Sequence, residues 1–172
     1  LSAKQAHFLV HPERFDNGHF WISPAEAAAM DPHQRLLLEV GYSALASGGD
    51  SRASLMGSAT AVVVGVMTDG EWATCSQREA TRRPCPVSAF AANASGPAAL
   101  AGRVSFVLGL KGPCFSVSTV CSSSLVALDA AAQNLQFSRS TAGLVAGVNM
   151  ISDPMGFLAY GQALAPDGRC KT

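Results

Sequence analysis

Along the chain, stretches whose apolar residues recur every three to four positions alternate with short runs that are apolar nearly throughout. The first pattern marks amphipathic helices, the second strands covered on both faces. S-P-A-E at 23–26 sets serine, proline and glutamate at the N-cap, N1 and N3 positions of a capping box, which predicts a short helix to residue 30. Asp31-Pro32 repeats the signal. Leu37, Val40, Gly41 and Leu45 continue it as a helix over 32–46, which Gly48-Gly49 ends. T-A-V-V-V-G-V-M at 60–67 is a buried strand by the same logic. Residues 71–86 are polar, close on R-R-P-C-P and read as a loop. Ser95-Gly96-Pro97 opens a helix to residue 106, 109–113 is turn material, and 114–120 reads as a strand. A helix over 122–137 carries Leu125, Leu128, Ala132 and Leu135 on one stripe, and 144–151 is a third apolar strand. Asp153-Pro154 and the P-D-G at 166–168 read as turns. Strands alternate with helices, so the fold class is α/β, layered, with a mainly parallel sheet.

Composition adds limits. The 172 residues are 48% apolar, enough for a core. Twelve basic residues balance twelve acidic ones, which offers no electrostatic footprint for nucleic acid or anionic lipid. The longest apolar runs, such as 61–67, are too short for a membrane span, and the opening L-S-A-K-Q-A-H-F lacks the apolar core of a secretory signal. The five cysteines, Cys75, Cys85, Cys114, Cys121 and Cys170, are odd in number and include no C-x-x-C pair. That argues against a disulfide framework and a structural zinc site, and for a reducing, cytoplasmic setting. The chain opens on Leu1 and ends just after a turn, so a partial domain over 1–172, truncated at both ends, is expected.

One position raises a chemical question. Cys121 sits where the predicted strand over 114–120 meets the predicted helix over 122–137. The first N–H groups of a helix have no partner within it and carry about half a positive charge, which favours a thiolate. They can also stabilise an oxyanion on an acyl group attached to the sulfur. Ser122, Ser123 and Ser124 are small, admit a substrate and can satisfy local backbone groups. The alternative reading is a small buried residue in a tight packing site. A nucleophile also needs a base or an electrophilic partner. The four histidines, His7, His11, His19 and His33, all fall in the first fifth of the chain and read as surface or packing residues. From the residues alone the site is half built.

V-S-T-V-C-S-S-S-L-V-A-L at 117–128 resembles the active-site segment of β-ketoacyl synthases, above all the ketosynthase domains of type I polyketide synthases, whose pattern is Asp-Thr-Ala-Cys-Ser-Ser-Ser-Leu. Collinear segments extend the resemblance over essentially the whole chain. R-F-D-N-G-H-F-W-I-S-P-A-E-A-A-A-M-D-P-H-Q-R-L-L-L-E-V at 14–40 is similar to the family's stretch around Ile-Ser-Pro and Met-Asp-Pro-Gln-Gln-Arg. G-R-V-S-F-V-L-G-L-K-G-P at 102–113, A-G-V-N-M-I at 146–151 and L-A-P-D-G-R-C-K-T at 164–172 resemble later segments. The resemblance implies a thiolase-like layered fold, present here as part of its N-terminal half and without the first strand. It implies that Cys121 takes an acyl chain from an acyl-carrier protein as a thioester. A malonyl-type extender on a second carrier then loses CO2 and attacks that thioester in a decarboxylative Claisen condensation. It implies a homodimer when full length, with the strand before the cysteine near the interface. It implies no cofactor: substrates arrive on the phosphopantetheine arm of the carrier. The family's two histidines belong to His-Gly-Thr-type and Asn-Ile-Gly-His-type motifs beyond Thr172. Cys121 is therefore the one catalytic residue carried over, and the isolated chain is expected neither to decarboxylate nor to condense. With strands missing, it is also expected to expose sheet edges and aggregate.

Three departures stand out. Ser118 replaces the family's usual aspartate, Val120 its alanine, and Gly102 its asparagine. The valine narrows the space beside the nucleophile and the serine removes a polar contact. Two rival readings remain: a fatty-acid-type ketosynthase, which shares much of this pattern, and a non-catalytic thiolase-like module for dimerisation or carrier docking. Met67, Phe90 and Phe157 are candidates for an acyl tunnel, though core packing is the expected role. Arg82-Arg83 offers charge to an acidic carrier, with a solvated loop as the favoured reading. The cysteines other than Cys121 are expected to do no chemistry.

Overall fold

In the computed structural model, residues 9–11, 14–67, 72 and 89–164 are described. Ser23 opens helix α1 (Pro24–Ala29), its Oγ accepting the Glu26 N–H at 3.2 Å. The Glu26 carboxylate turns away from this cap to pair with Arg103. Asp31 opens α2 (Pro32–Ser47) by accepting the His33 N–H at 2.8 Å. The same carboxylate oxygen lies 2.7 Å from Nδ1 of the buried His33 ring. Replacing Asp31 by alanine removes a helix cap and a buried partner together. A loss of about 2 kcal/mol is expected in urea unfolding, against little change for Asp50→Ala on the surface.

Gly48 and Gly49 end α2, Gly49 with a φ of 95° that favours glycine. A short helix, α3 (Arg52–Leu55), follows on a serine capping box; four residues are too few to show an apolar period. Strand β1 (Thr60–Val66) is buried along its whole length, as its unbroken apolar run predicts. After a 3-10 turn at Ala89–Asn93 come α4 (Pro97–Leu108), β2 (Cys114–Val117), α5 (Ser123–Gln136), β3 (Ala142–Val148) and α6 (Pro154–Leu164).

The three strands form one parallel sheet in the order β2-β1-β3, with Gly65 level with Val117 on one side and Gly147 on the other. The connection through α4 leads from β1 to β2, and the one through α5 leads back across β1 to β3. Right-handed crossovers in opposite directions place their helices on opposite faces. Accordingly Val62, Val64 and Val66 pack with Leu37 and Leu38 of α2 and with Leu100, Val104 and Leu108 of α4. Val63 faces the other way, onto Ala127 and Ala131 of α5.

A polar knot ties α1, α2 and α4 together. The fully buried Gln34 donates to the carbonyls of Asn93 and Ala94 at 3.1 and 3.2 Å and accepts from Arg103 Nε at 2.6 Å. Arg103 also reaches Glu26. The motifs at 23–35 and 102–106 thus meet in space.

Three expectations need correction. The strand over 114–120 stops at Val117, because a turn occupies 120–122. Asp153-Pro154 starts a helix instead of a turn: the Asp153 carboxylate accepts the Met155 N–H at 3.0 Å, the same cap-then-proline device as Asp31-Pro32. In α5, Leu125, Leu128 and Leu135 are exposed, while Ser123, Ala127 and Ala131 face the sheet. The loop over 71–86, apart from residue 72, and the turn at 166–168 lie outside the described residues. No helix among the described residues is long and apolar enough to cross a membrane.

Candidate active site

Cys121 occupies the middle of the 3-10 turn Val120–Ser122, between the end of β2 and the start of α5. Its thiol is free and exposed, which removes the reading of a small buried residue. Hydroxyls hold the turn. Ser122 Oγ lies 2.7 Å from the Thr119 carbonyl and 3.0 Å from the Thr119 hydroxyl. Ser123 Oγ accepts the Thr119 N–H at 2.8 Å and donates to the Val120 carbonyl at 2.7 Å, with the Val66 carbonyl of β1 at 3.4 Å. Two of the three serines therefore brace the segment carrying the thiol, and neither side chain caps α5. The backbone bonds of the turn run from Ser122 to Thr119 and from Ser123 to Val120. The N–H groups of Val120 and Cys121 consequently have no acceptor within it.

Two glycines let the turn lie against the sheet. A Cβ on Gly65 would stand 2.5 Å from the Ser123 carbonyl oxygen, and one on Gly147 would stand 2.9 Å from Ser124 Cβ. Only a bare backbone on β1 and β3 admits the first turn of α5 at this distance. The helix continues the theme with alanines toward the sheet, which is why its leucines point away.

What results is an open cleft of about 350 Å³ at the carboxyl ends of β1 and β3, lined by Gly65, Met67, Val120, Cys121, Ser124 and Asn149, among others. This is the end of a parallel sheet where ligands bind in open α/β folds. Cys121 contributes sulfur, Met67 and Val120 contribute apolar wall, and the N–H groups at the start of the turn are candidates to donate to a bound oxygen. Such a site suits nucleophilic capture of an acyl group whose oxygen needs hydrogen-bond donors.

The remaining candidates separate clearly. Met67 lines the cleft instead of the core. Phe90 is exposed and Phe157 is part-buried on α6; neither lines it. His33 lies at the start of α2, and His19 packs edge-on against Phe20 and Tyr42. His11 borders a second hollow beside Arg14 and Arg35. No described histidine lines the Cys121 cleft. Cys114 stands at the start of β2, partly exposed; partial desolvation of its sulfur pushes the thiol up, and a smaller opposing effect comes from its hydrogen bond with Ser105. Ser118 is exposed between β2 and the turn, and a side chain at Gly102 would meet nothing within 4 Å. His7, Arg82, Arg83, Cys75, Cys85 and Cys170 lie outside the described residues. The residues missed from sequence were Gly65, Gly147 and Asn149. An isolated glycine inside an apolar strand was the available signal for the first two, since it marks close backbone approach.

Comparison with known proteins places the chain in a family. Residues 1–172 match the family described as "Beta-ketoacyl synthase, N-terminal domain". The chain is 42% identical over 160 residues to cyclo-acetoacetyl-L-tryptophan synthase of Aspergillus oryzae, covering 92% of this chain and 4% of that protein. It is 40% identical over 163 residues to a phenolphthiocerol/phthiocerol polyketide synthase component of Mycobacterium tuberculosis, covering 94% of this chain and 7% of that one. Among solved structures, the ketosynthase from module 6 of the bacillaene synthase of Bacillus subtilis superposes with a TM-score of 0.76 at 30% identity, over 91% of this chain and 25% of that one. An oxazolomycin ketosynthase domain from Streptomyces albus gives a TM-score of 0.79 at 31% identity, over 91% and 27%. The chain thus spans only a small part of its curated relatives and about a quarter of each solved ketosynthase chain.

Proposed function

Because this chain belongs to the β-ketoacyl synthase family, with the N-terminal part of its thiolase-like fold, we propose that Cys121 is the acyl-accepting nucleophile of a condensing enzyme in polyketide chain elongation. The observation that carries the proposal is the exposed Cys121 thiol on a braced turn, opening into a cleft at the carboxyl end of the sheet. In the first half-reaction the Cys121 thiolate attacks the carbonyl of an acyl thioester delivered on an acyl-carrier protein. The bond to the carrier sulfur breaks, and the leaving thiolate takes up the proton that Cys121 gave away. In the second, a malonyl-type thioester loses CO2, its carbanion forms a carbon–carbon bond to the acyl carbonyl, and the Cys121 thiolate departs. The turn's free N–H groups stabilise the oxyanion of the tetrahedral intermediates. The acyltransferase chemistry, the carrier partner, the homodimeric state and a cytoplasmic location are parts of this reading. So is the absence of a resident cofactor. The named polyketide synthases among the relatives favour the polyketide pathway over a fatty-acid one.

The test is acylation of the full-length protein by a short acyl thioester, followed by mass mapping of the modified peptides. The acyl group is expected on Cys121 and not on Cys114, whose thiol is pushed up by burial. An unmodified Cys121, or equal modification of Cys114, would count against the nucleophile and for a non-catalytic module. The 172 residues alone are expected to yield no β-ketoacyl product, since no described histidine lines the cleft.

A further inference from the structure

Val120 is an unusual residue for its backbone. Its φ is 56°, and among the four described non-glycine residues with positive φ it alone is β-branched. Such a conformation costs on the order of 1–3 kcal/mol. Among the described residues, four glycines, Gly49, Gly57, Gly96 and Gly109, and the unbranched His11, Trp21 and Ser138 also take a positive φ. Packing does not offset the cost here, because Val120 is 60% exposed and absent from both core clusters. Its carbonyl is bound by Ser123 Oγ, an interaction that any residue at this position retains. What the valine side chain does is form part of the wall beside Cys121. Gly65 and Gly147 add no side chain to the cleft, and the first turn of α5 fills the space beside them, so the apolar walls near the thiol are Val120 and Met67.

We infer that Val120 is a specificity-determining residue: its isopropyl group excludes acyl chains branched at the carbon next to the thioester carbonyl. That carbon is held within a bond or two of the Cys121 sulfur and cannot move away from the neighbouring side chain, whereas a linear chain extends past it into the open cleft. The inference rests on Cys121 being the acyl acceptor. A single methyl in an apolar site is worth about 10-fold or more in discrimination, and valine carries two beyond alanine.

The experiment compares acylation of Cys121 by n-butyryl and isobutyryl N-acetylcysteamine thioesters, which are isomers differing only in shape. Rates are measured by intact mass on the full-length protein, unsubstituted and as Val120→Ala and Val120→Ile. Val120→Ala is expected to raise the isobutyryl-to-butyryl rate ratio about tenfold, and Val120→Ile to lower it. Val120→Gly, which relieves the backbone, is expected to raise the melting temperature and shows that the turn tolerates replacement. A ratio unmoved by both the alanine and isoleucine substitutions would overturn this inference alone. No acylation of Cys121 by either thioester in the unsubstituted protein would overturn the nucleophile assignment and this inference with it.

Discussion

Gly65→Val is expected to abolish acylation of Cys121, with at least a 100-fold loss, while Val63→Ile one pleat away leaves it nearly intact. The difference comes from what each side chain meets. Val63 faces Ala127 and Ala131 with the partly buried Val117 and Val145 packed around them, so an added methyl meets side chains at the rim that can yield. Gly65 faces backbone: a Cβ there would stand 2.5 Å from the Ser123 carbonyl oxygen, 2.6 Å from its carbon and 2.7 Å from the Ser124 nitrogen. Backbone cannot rotate aside, so the whole start of α5 must lift. The displaced residues include Ser123, whose hydroxyl binds the Thr119 N–H and the Val120 carbonyl and so braces the Cys121 turn. Misplacing a reacting group by about 1 Å costs about 100-fold, and overpacking of this kind costs about 3 kcal/mol in stability. Gly65→Ala separates the two effects. It adds only the Cβ and should retain the fold, with far-ultraviolet circular dichroism close to the parent, yet lose most acylation. Full acylation in Gly65→Ala would show that the turn is not held by its contact with β1.

Arg103→Met is expected to lower stability by about 3 kcal/mol. Methionine keeps the apolar stem but leaves Gln34 Oε1 without its donor in a site where Gln34 is fully buried. Glu26 loses its partner too, but its side chain is partly open to water and rehydrates. Glu26→Gln should therefore cost much less than Arg103→Met. The double variant Arg103→Met with Gln34→Leu should lose less than the two single losses added, because replacing both partners leaves no polar group stranded. Urea unfolding of the four proteins decides this. Strict additivity would mean that Arg103 and Gln34 contribute independently, contrary to the 2.6 Å bond between them.

Local signals are legible in the sequence. The serine and aspartate caps at 23 and 31, the glycine stop at 48–49 and the apolar run that became β1 depend on residues within one or two turns of each other. The misreadings share one cause. Asp153-Pro154 carries the same cap signature as Asp31-Pro32, and a turn and a helix start look alike over two residues. The stripe of Leu125, Leu128 and Leu135 has helical spacing whichever side faces the sheet.

By itself, the sequence determined the alternation of strands and helices, the parallel sheet it entails and the chemical identity of the one thiol at the strand-to-helix junction. Periodicity and capping are short-range properties, so they are written in neighbouring residues. Only the tertiary structure decided that Gly65 and Gly147 clear a place for α5, that alanines and not leucines face the sheet, and that Met67 and Val120 wall the cleft. Those outcomes turn on distances between residues far apart in the chain, and on a positive φ at Val120. No local preference predicts either, because a β-branched residue adopts that conformation only when its surroundings impose it.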